Sequence, residues 1–288
     1  MFRKDLAWYD QLLRQFRSGN ENYLYDFKNK ISYHIMEKSD IAEASRISAQ
    51  CMASNPFYRS ISMSADEYLE DSTFSCQESV ESRIGCIARN RQGQMIGVHV
   101  AYSLSTAINV THGQESYDRC GSKLVPLLNA LVELFKTTPW HQYGGIDRIV
   151  YLDEVSVLKS ASGKGVGYIL PEFALVLAER KGYTHAATIA IHKITKNDLD
   201  MLPNWKEINS IEVASITGND GKERVYESIS KNGFRSISLY IGVLNPKKNF
   251  GSVPFYSWML TKIEVFYNSG SISFKVNSDQ KLDYSITG

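Results

Sequence analysis

The stretch from Arg148 to Ile191 limits the possible folds more than any other part of the chain. Arg148-Ile149-Val150-Tyr151-Leu152-Asp153-Glu154-Val155-Ser156-Val157 is rich in β-branched and aromatic residues and reads as a strand. The turn Ser162-Gly163-Lys164-Gly165-Val166-Gly167 follows it. Leu170, Phe173, Ala174, Val176, Leu177 and Ala178 then recur at helical spacing, and Lys181-Gly182 places glycine just past the helix end. Ala186-Ala187-Thr188-Ile189-Ala190-Ile191 returns as a second strand. Strand, turn, helix and strand within one sheet require parallel strands and a right-handed crossover. The chain is therefore expected to be α/β.

The turn has chemical meaning as well. Successive backbone N–H groups at a helix N-terminus form an anion site, and phosphate is its natural ligand. A Cβ there would hold the phosphate oxygens off the donors, which is why glycine suits the turn. The spacing fits neither a Walker A loop, which ends in Gly-Lys-Ser/Thr, nor GxGxxG. A tight structural turn is the alternative reading of the same glycines.

Elsewhere the pattern is that of one domain with extensions. Leu6, Tyr9, Leu12, Leu13 and Phe16 predict an N-terminal helix within residues 1–30. Ile31-Ser32-Tyr33-His34-Ile35 alternates as a strand, and Ser39-Asp40 can cap a helix carrying Ile41, Ala44, Ile47 and Ala49. Ser64-Ala65-Asp66-Glu67 has the capping-box spacing for a second helix. Strands near 85–89 and 95–100 flank a hairpin turn at Arg91-Gln92-Gly93-Gln94. An insertion at about 105–147 is expected to hold one amphipathic helix with Pro126 in its first turn. Glu223 to Lys231 reads as a helix, Ser236 to Val243 and Lys262 to Phe266 as strands, and 268–288 as a polar tail.

Composition narrows the partners. The net charge is +1, so no global positive field is available to hold a nucleic acid. The four cysteines, Cys51, Cys76, Cys86 and Cys120, form no CxxC pair, so neither a zinc site nor a disulfide framework is signalled. No run approaches the roughly 20 apolar residues of a membrane span, and charges interrupt the N-terminus before a signal sequence could form. A cytoplasmic protein without membrane or nucleic-acid partners is the expectation.

Val157-Leu158-Lys159-Ser160-Ala161-Ser162-Gly163-Lys164-Gly165-Val166-Gly167 resembles the central motif of the GNAT superfamily of acyl-CoA N-acyltransferases, V-x-P-x-x-R/Q-G-x-G-x-G/A. Lys159 stands where the motif has proline, and Ser162 where it has arginine or glutamine. Tyr33 to Cys51, Arg83 to Val100 and Ser228-Ile229-Ser230-Lys231-Asn232-Gly233-Phe234 resemble further parts of that fold, so the likeness spans roughly residues 31 to 266. Within the superfamily the pattern is similar to the invertebrate arylalkylamine, dopamine-type enzymes: Asn55-Pro56-Phe57-Tyr58, the insertion, and Val253-Pro254-Phe255-Tyr256 occupy the corresponding segments. Asn55 replaces the glutamate of that group.

The resemblance implies a mixed sheet with a splayed parallel strand pair and flanking helices over 31–267. It also implies an acetyl-CoA-dependent N-acetyltransferase acting on a small primary amine, an arylalkylamine among the candidates. By the same resemblance Val155 and Val157 would meet the pantetheine arm, and Ser162, Gly163, Lys164, Gly165, Val166 and Gly167 the pyrophosphate. A bulky residue at Gly165 is expected to remove cofactor binding and leave the fold intact. Strict alternation would put Tyr151, Asp153, Val155 and Val157 on one face of the strand and Glu154 on the other. Asp153 is the candidate base, with a structural carboxylate as the alternative; Glu154 reads as a salt-bridge partner pointing away. Ser228 and Tyr226 are candidates for protonating the leaving thiolate, and each also reads as a solvated or packing residue. His99 reads as a hydrogen-bonded core residue. Two other functions stay open: a non-catalytic acyl-CoA-binding module, because Asn55, Ser162 and Ile229 replace working side chains, and a transferase with a protein substrate.

Overall fold

The computed structural model describes residues 3–19, 21–112, 119, 121–202, 204–218, 226, 234–244, 263–268 and 271–276. Eight strands form one sheet in the order β1 (Tyr23–Asp26), β2 (Ile31–Ile35), β3 (Cys86–Arg89), β4 (Met95–Ser103), β5 (Ile149–Val157), β6 (His185–Ala190), β8 (Ser236–Val243) and β7 (Trp205–Glu212). Only β5 and β6 run parallel; every other neighbouring pair is antiparallel. The helices are α1 (Arg3–Ser18), α2 (Ile41–Ser54), α3 (Pro56–Ser60), α4 (Ala65–Ser82), α5 (Leu104–His112), α6 (Gly121–Thr137), α7 (Val166–Arg180) and α8 (Lys193–Asp200). A separate hairpin pairs β9 (Ile263–Asn268) with β10 (Ser271–Val276). No described helix is long and apolar enough to cross a membrane.

The sheet separates two cores. On one face α1 and α7 pack over Tyr33, Ala88, Val150 and Leu152; on the other, residues of α2 to α6 pack over Ile87, Val98, Tyr102 and Tyr151. Of α7, every residue from Val166 to Ala178 except Gly167 is buried, as a crossover helix between a sheet and a second helix must be. The capping box at Ser64 is formed: its hydroxyl accepts from Glu67 N at 3.2 Å, and Glu67 Oε2 accepts from Ser64 N at 2.8 Å.

Several elements differ from the sequence reading. The first 30 residues hold a strand as well as a helix, because β1 extends the sheet beyond β2. Asp26 stabilises the turn between them by accepting from Lys28 N at 3.0 Å, Asn29 N at 3.1 Å and Asn29 Nδ2 at 2.6 Å, while Trp8 Nε1 ties α1 to it at 3.0 Å. Among the described residues the insertion carries α5 as well as α6, more than the one helix expected. Pro126 lies in the second turn of α6, since that helix already begins at Gly121. At the far end, β10 runs through the segment read as a tail. The helix read at Glu223 to Lys231 lies outside the described residues except for Tyr226.

α1 is an integral part of the core. The Phe16 ring stacks on Phe173 of α7 with centroids 4.5 Å apart, and the Arg180 guanidinium lies 4.4 Å over its other side. Arg17 Nη2 meets the fully buried Glu172 carboxylate at 3.1 Å. Phe16→Ala is expected to cost about 3 kcal/mol, the usual range for emptying a buried aromatic site, measured by urea denaturation; a loss below about 1 kcal/mol would mean that α1 is only loosely attached.

Candidate active site

Gly163 and Gly165 of the turn hold φ of +77° and +74°, conformations that a side chain makes costly, and Gly165 caps α7. Among the described residues the N–H groups of Gly163, Gly165, Val166 and Gly167 have no backbone acceptor, which leaves four donors at a helix N-terminus. A Cβ on Gly167 would meet only Val157 Cγ2 at an ordinary 3.5 Å, so the space in front of that residue is open. The turn thus fits a phosphate group.

Gly165 is different. A Cβ there would stand 2.4 Å from Tyr9 Cζ, and the Tyr9 hydroxyl donates to the Lys164 carbonyl at 3.0 Å. A bulky side chain at Gly165 would therefore push α1 off the turn as well as strain its backbone. The expectation of an intact fold in such a variant is overturned, because the sequence gives no hint that a residue 156 positions earlier covers the turn.

The strand that leads into the turn is paired along only part of one edge. β5 and β6 pair from Ile149 and His185 to Leu152 and Thr188, and there the pairing stops, although β5 continues to Val157 and β6 to Ala190. Thr188 Oγ1 closes the seam by donating to the Leu152 carbonyl at 2.9 Å. Beyond it the β6-facing edge of β5 is unpaired, while its other edge stays bonded to β4 as far as Val157. Val155, 42% exposed, and the half-buried Val157 lie on this free stretch.

At the fork the strand bulges. Val100 of β4 pairs with Glu154 and Ala101 with Leu152, so Asp153 is skipped. The extra residue shifts the alternation by one, and Glu154 does not point away from Asp153. Tyr102 Oη donates to Asp153 Oδ2 at 2.8 Å, whereas Glu154 Oε1 accepts from Ser48 of α2 and, at 3.4 Å, from Ser156. Both carboxyls consequently lie on the α2–α4 side. Strict alternation missed this, because a bulge depends on the partner strand and leaves no mark in the strand's own sequence.

Burial raises both carboxyls. Asp153 rises to about 6, mainly by loss of solvent and further by the charge of Asp71, against the lowering hydrogen bonds of Tyr102 and Ser75. Glu154 rises to about 8, by loss of solvent and then by the charge of Asp153, against the bond from Ser48. A cavity of about 100 Å³ opens beside Asp153, where Tyr58, Tyr68, Tyr102 and Tyr151 surround Asp71 and Asp153 and leucines of α6 close the far wall. Sequence reading found Asp153 but missed Asp71, Ser48 and three of these tyrosines, which come from separate helices and strands.

The remaining candidates are placed as follows. Tyr226 is buried, donates to the Lys123 carbonyl at 2.8 Å, and meets Phe57 edge-on with centroids 5.5 Å apart. Ser228 lies outside the described residues. Asn55 caps α3, its side chain accepting from Phe57 N at 2.9 Å, with Pro56 in the first turn. Ser162 and Lys164 are exposed on the turn. No cluster of three or more His, Cys, Asp or Glu residues suited to a metal occurs among the described residues.

No protein-family model matches the chain, and no curated protein does. Solved structures do. Arylalkylamine N-acetyltransferase 2 from Aedes aegypti aligns with a TM-score of 0.62 at 16% identity, over 75% of this chain and 100% of that one. Mosquito arylalkylamine N-acetyltransferase like 5b gives 0.59 at 16% identity over 74% and 100%. Drosophila melanogaster polyamine N-acetyltransferase gives 0.58 at 12% identity over 74% and 100%. The architecture is the GNAT fold, with the splayed parallel pair that the resemblance implied.

The raised carboxyls link stability to pH. A carboxyl that titrates higher when folded than when unfolded, where the value is about 4, contributes stability that is present below the unfolded value and lost as pH climbs through the folded one. Glu154→Gln should therefore match the wild type near pH 4.5 and exceed it by at least about 1 kcal/mol at pH 8.5 in urea denaturation. An equal difference at both pH values would show that the carboxyl is not shifted.

Proposed function

We propose that this protein is an acetyl-CoA-dependent N-acetyltransferase that acetylates a small primary amine by direct transfer in a ternary complex. The observation that carries the proposal is the fork between β5 and β6, with a phosphate-fitting turn at one end and two buried carboxyls, Asp153 and Glu154, on one face of the sheet at the other. Acetyl-CoA would supply the activated acetyl group. The N–H groups of Gly163, Gly165, Val166 and Gly167 would hold its pyrophosphate, and the backbone of Val155 and Val157, along the edge that β6 leaves unpaired, its pantetheine arm. The GNAT-fold neighbours, arylalkylamine and polyamine N-acetyltransferases, support this assignment.

An alkylamine with a pKa near 10 arrives protonated and cannot attack until it loses that proton. The Asp153–Glu154 pair lies at the fork, and burial tunes it toward neutral pH, where a general base works best. Tyr102 and Ser48 fix the two carboxyls in place by hydrogen bonds. Tyrosine faces around the cavity favour an ammonium group on an apolar body. Asp71 in the same wall specifically favours a second reading of the acceptor, an amine carrying a further positive charge.

Two measurements test the proposal. Gly167→Leu should weaken acetyl-CoA binding at least tenfold by calorimetry with an unchanged melting temperature, since the new side chain enters the open space in front of the turn. Unchanged affinity would make the turn purely structural. The double variant Asp153→Asn, Glu154→Gln should lose about 100-fold or more in kcat, and either single variant less, because the remaining carboxyl is freed of its neighbour and can still accept the proton. The loss should shrink as pH rises and more free amine is present. Equal kcat in the wild type and the double variant would remove the pair from the mechanism. Wild-type protein that binds acetyl-CoA yet acetylates neither arylalkylamines nor polyamines would instead be a non-catalytic acyl-CoA-binding module.

A further inference from the structure

His99 of β4 is buried at 2% exposure on the opposite side of the sheet from the carboxylate pair. Its Nδ1 lies 2.6 Å from the carbonyl oxygen of Glu154, and its Nε2 is buried with no partner. A carbonyl can only accept, so Nδ1 carries the proton and the ring is the neutral Nδ1–H tautomer. Burial reinforces this, lowering His99 to about 4, against the raising effect of the Glu154 bond.

The site of this bond is unusual. Glu154 is the residue just after the skipped Asp153, and the ladder resumes there, with Val100 opposite Glu154 and His99 opposite Val155. Around a bulge the ladder is locally disrupted, and a further donor to a carbonyl beside the skipped residue adds a restraint to the backbone there. Here a side chain from the partner strand supplies that donor. Polar rings are rarely placed in a strand interior without such a task.

We infer that His99 is a positioning residue for the proposed reaction: by holding the Glu154 carbonyl it fixes the β5 bulge that brings the Asp153 and Glu154 carboxyls onto one face. Without the donor, regular pairing across Asp153 is the favoured arrangement, and regular pairing returns Glu154 to the other face. His99 touches neither acceptor nor cofactor and acts only through the backbone of β5. The inference rests on the N-acetyltransferase reading for its kinetic consequence, but its structural consequence stands apart from that reading.

The test compares His99→Leu, which removes the donor, with His99→Asn, whose Nδ2 can occupy the position of Nδ1, and His99→Gln, whose amide cannot. In the Leu variant kcat should fall at least 30-fold, with acetyl-CoA affinity within about threefold of wild type and the bulge lost in its crystal structure. In the Asn variant kcat should recover to within about fivefold of wild type, and in the Gln variant it should not. Should the Leu variant fail to fold, the comparison of Asn with Gln decides: equal kcat in these two overturns the inference. A folded Leu variant that keeps the bulge and a kcat within threefold of wild type overturns it as well. If the wild type acetylates no amine, the functional reading fails, and the bulge in the crystal structure of the Leu variant, kept or lost, still decides the role of His99.

Discussion

The parallel pairing of β5 with β6 ends at Leu152, and the rest of the site depends on that end. Parallel strands joined by a right-handed crossover share their hydrogen bonds only while their twists agree. Here the pairing is given up at the residue before the bulge, and Thr188 seals the last carbonyl. Two consequences follow from one break. The free edge of Val155 to Val157 becomes available to an extended ligand, as in strand addition. The bulge then turns two neighbouring carboxyls to the same side of the sheet.

Helix α7 ties the turn to the sheet. Its N-terminus provides the turn, and its buried length fixes that turn to the sheet through Val157, Val166 and Leu170. Helix α1 lies across the outside of α7, with Tyr9 over Gly165 and Phe16 on Phe173. The turn is therefore held between sheet and α1, which keeps its donors pre-set for an anion and spares the ordering cost a loose loop would incur on binding. On the opposite face residues of α3, α4, α5 and α6 line the chamber beside Asp153. The division of labour follows the two cores: one presents the turn, the other the acceptor cavity.

Part of this was legible in the sequence. The crossover unit, the glycine turn, the capping box at Ser64 and the hairpin around Gly93 are set by residues close together in the chain, through dihedral preference, capping bonds and side-chain periodicity. Asp153 was singled out by the family resemblance, which implies a base four residues before the motif valine, Val157. The strands β1 and β7 were missed because their alternation is weak and their place in the sheet comes from the neighbours β2 and β8. Pro126 was misplaced by one turn, since helix ends are the least determined feature of a periodic pattern.

The sequence by itself thus determined that the chain has a parallel crossover, a phosphate-fitting turn and an acidic strand beside it, because each is a local matter of backbone propensity and spacing. Only the tertiary structure decided which way Glu154 faces, which tyrosines surround Asp153, and that Tyr9 covers Gly165. These depend on pairings between residues far apart in the chain: the register of β4 against β5, the approach of α2 and α4 to the sheet, and the docking of α1 on α7. A one-residue slip in any strand register would reverse the faces without changing a single local preference.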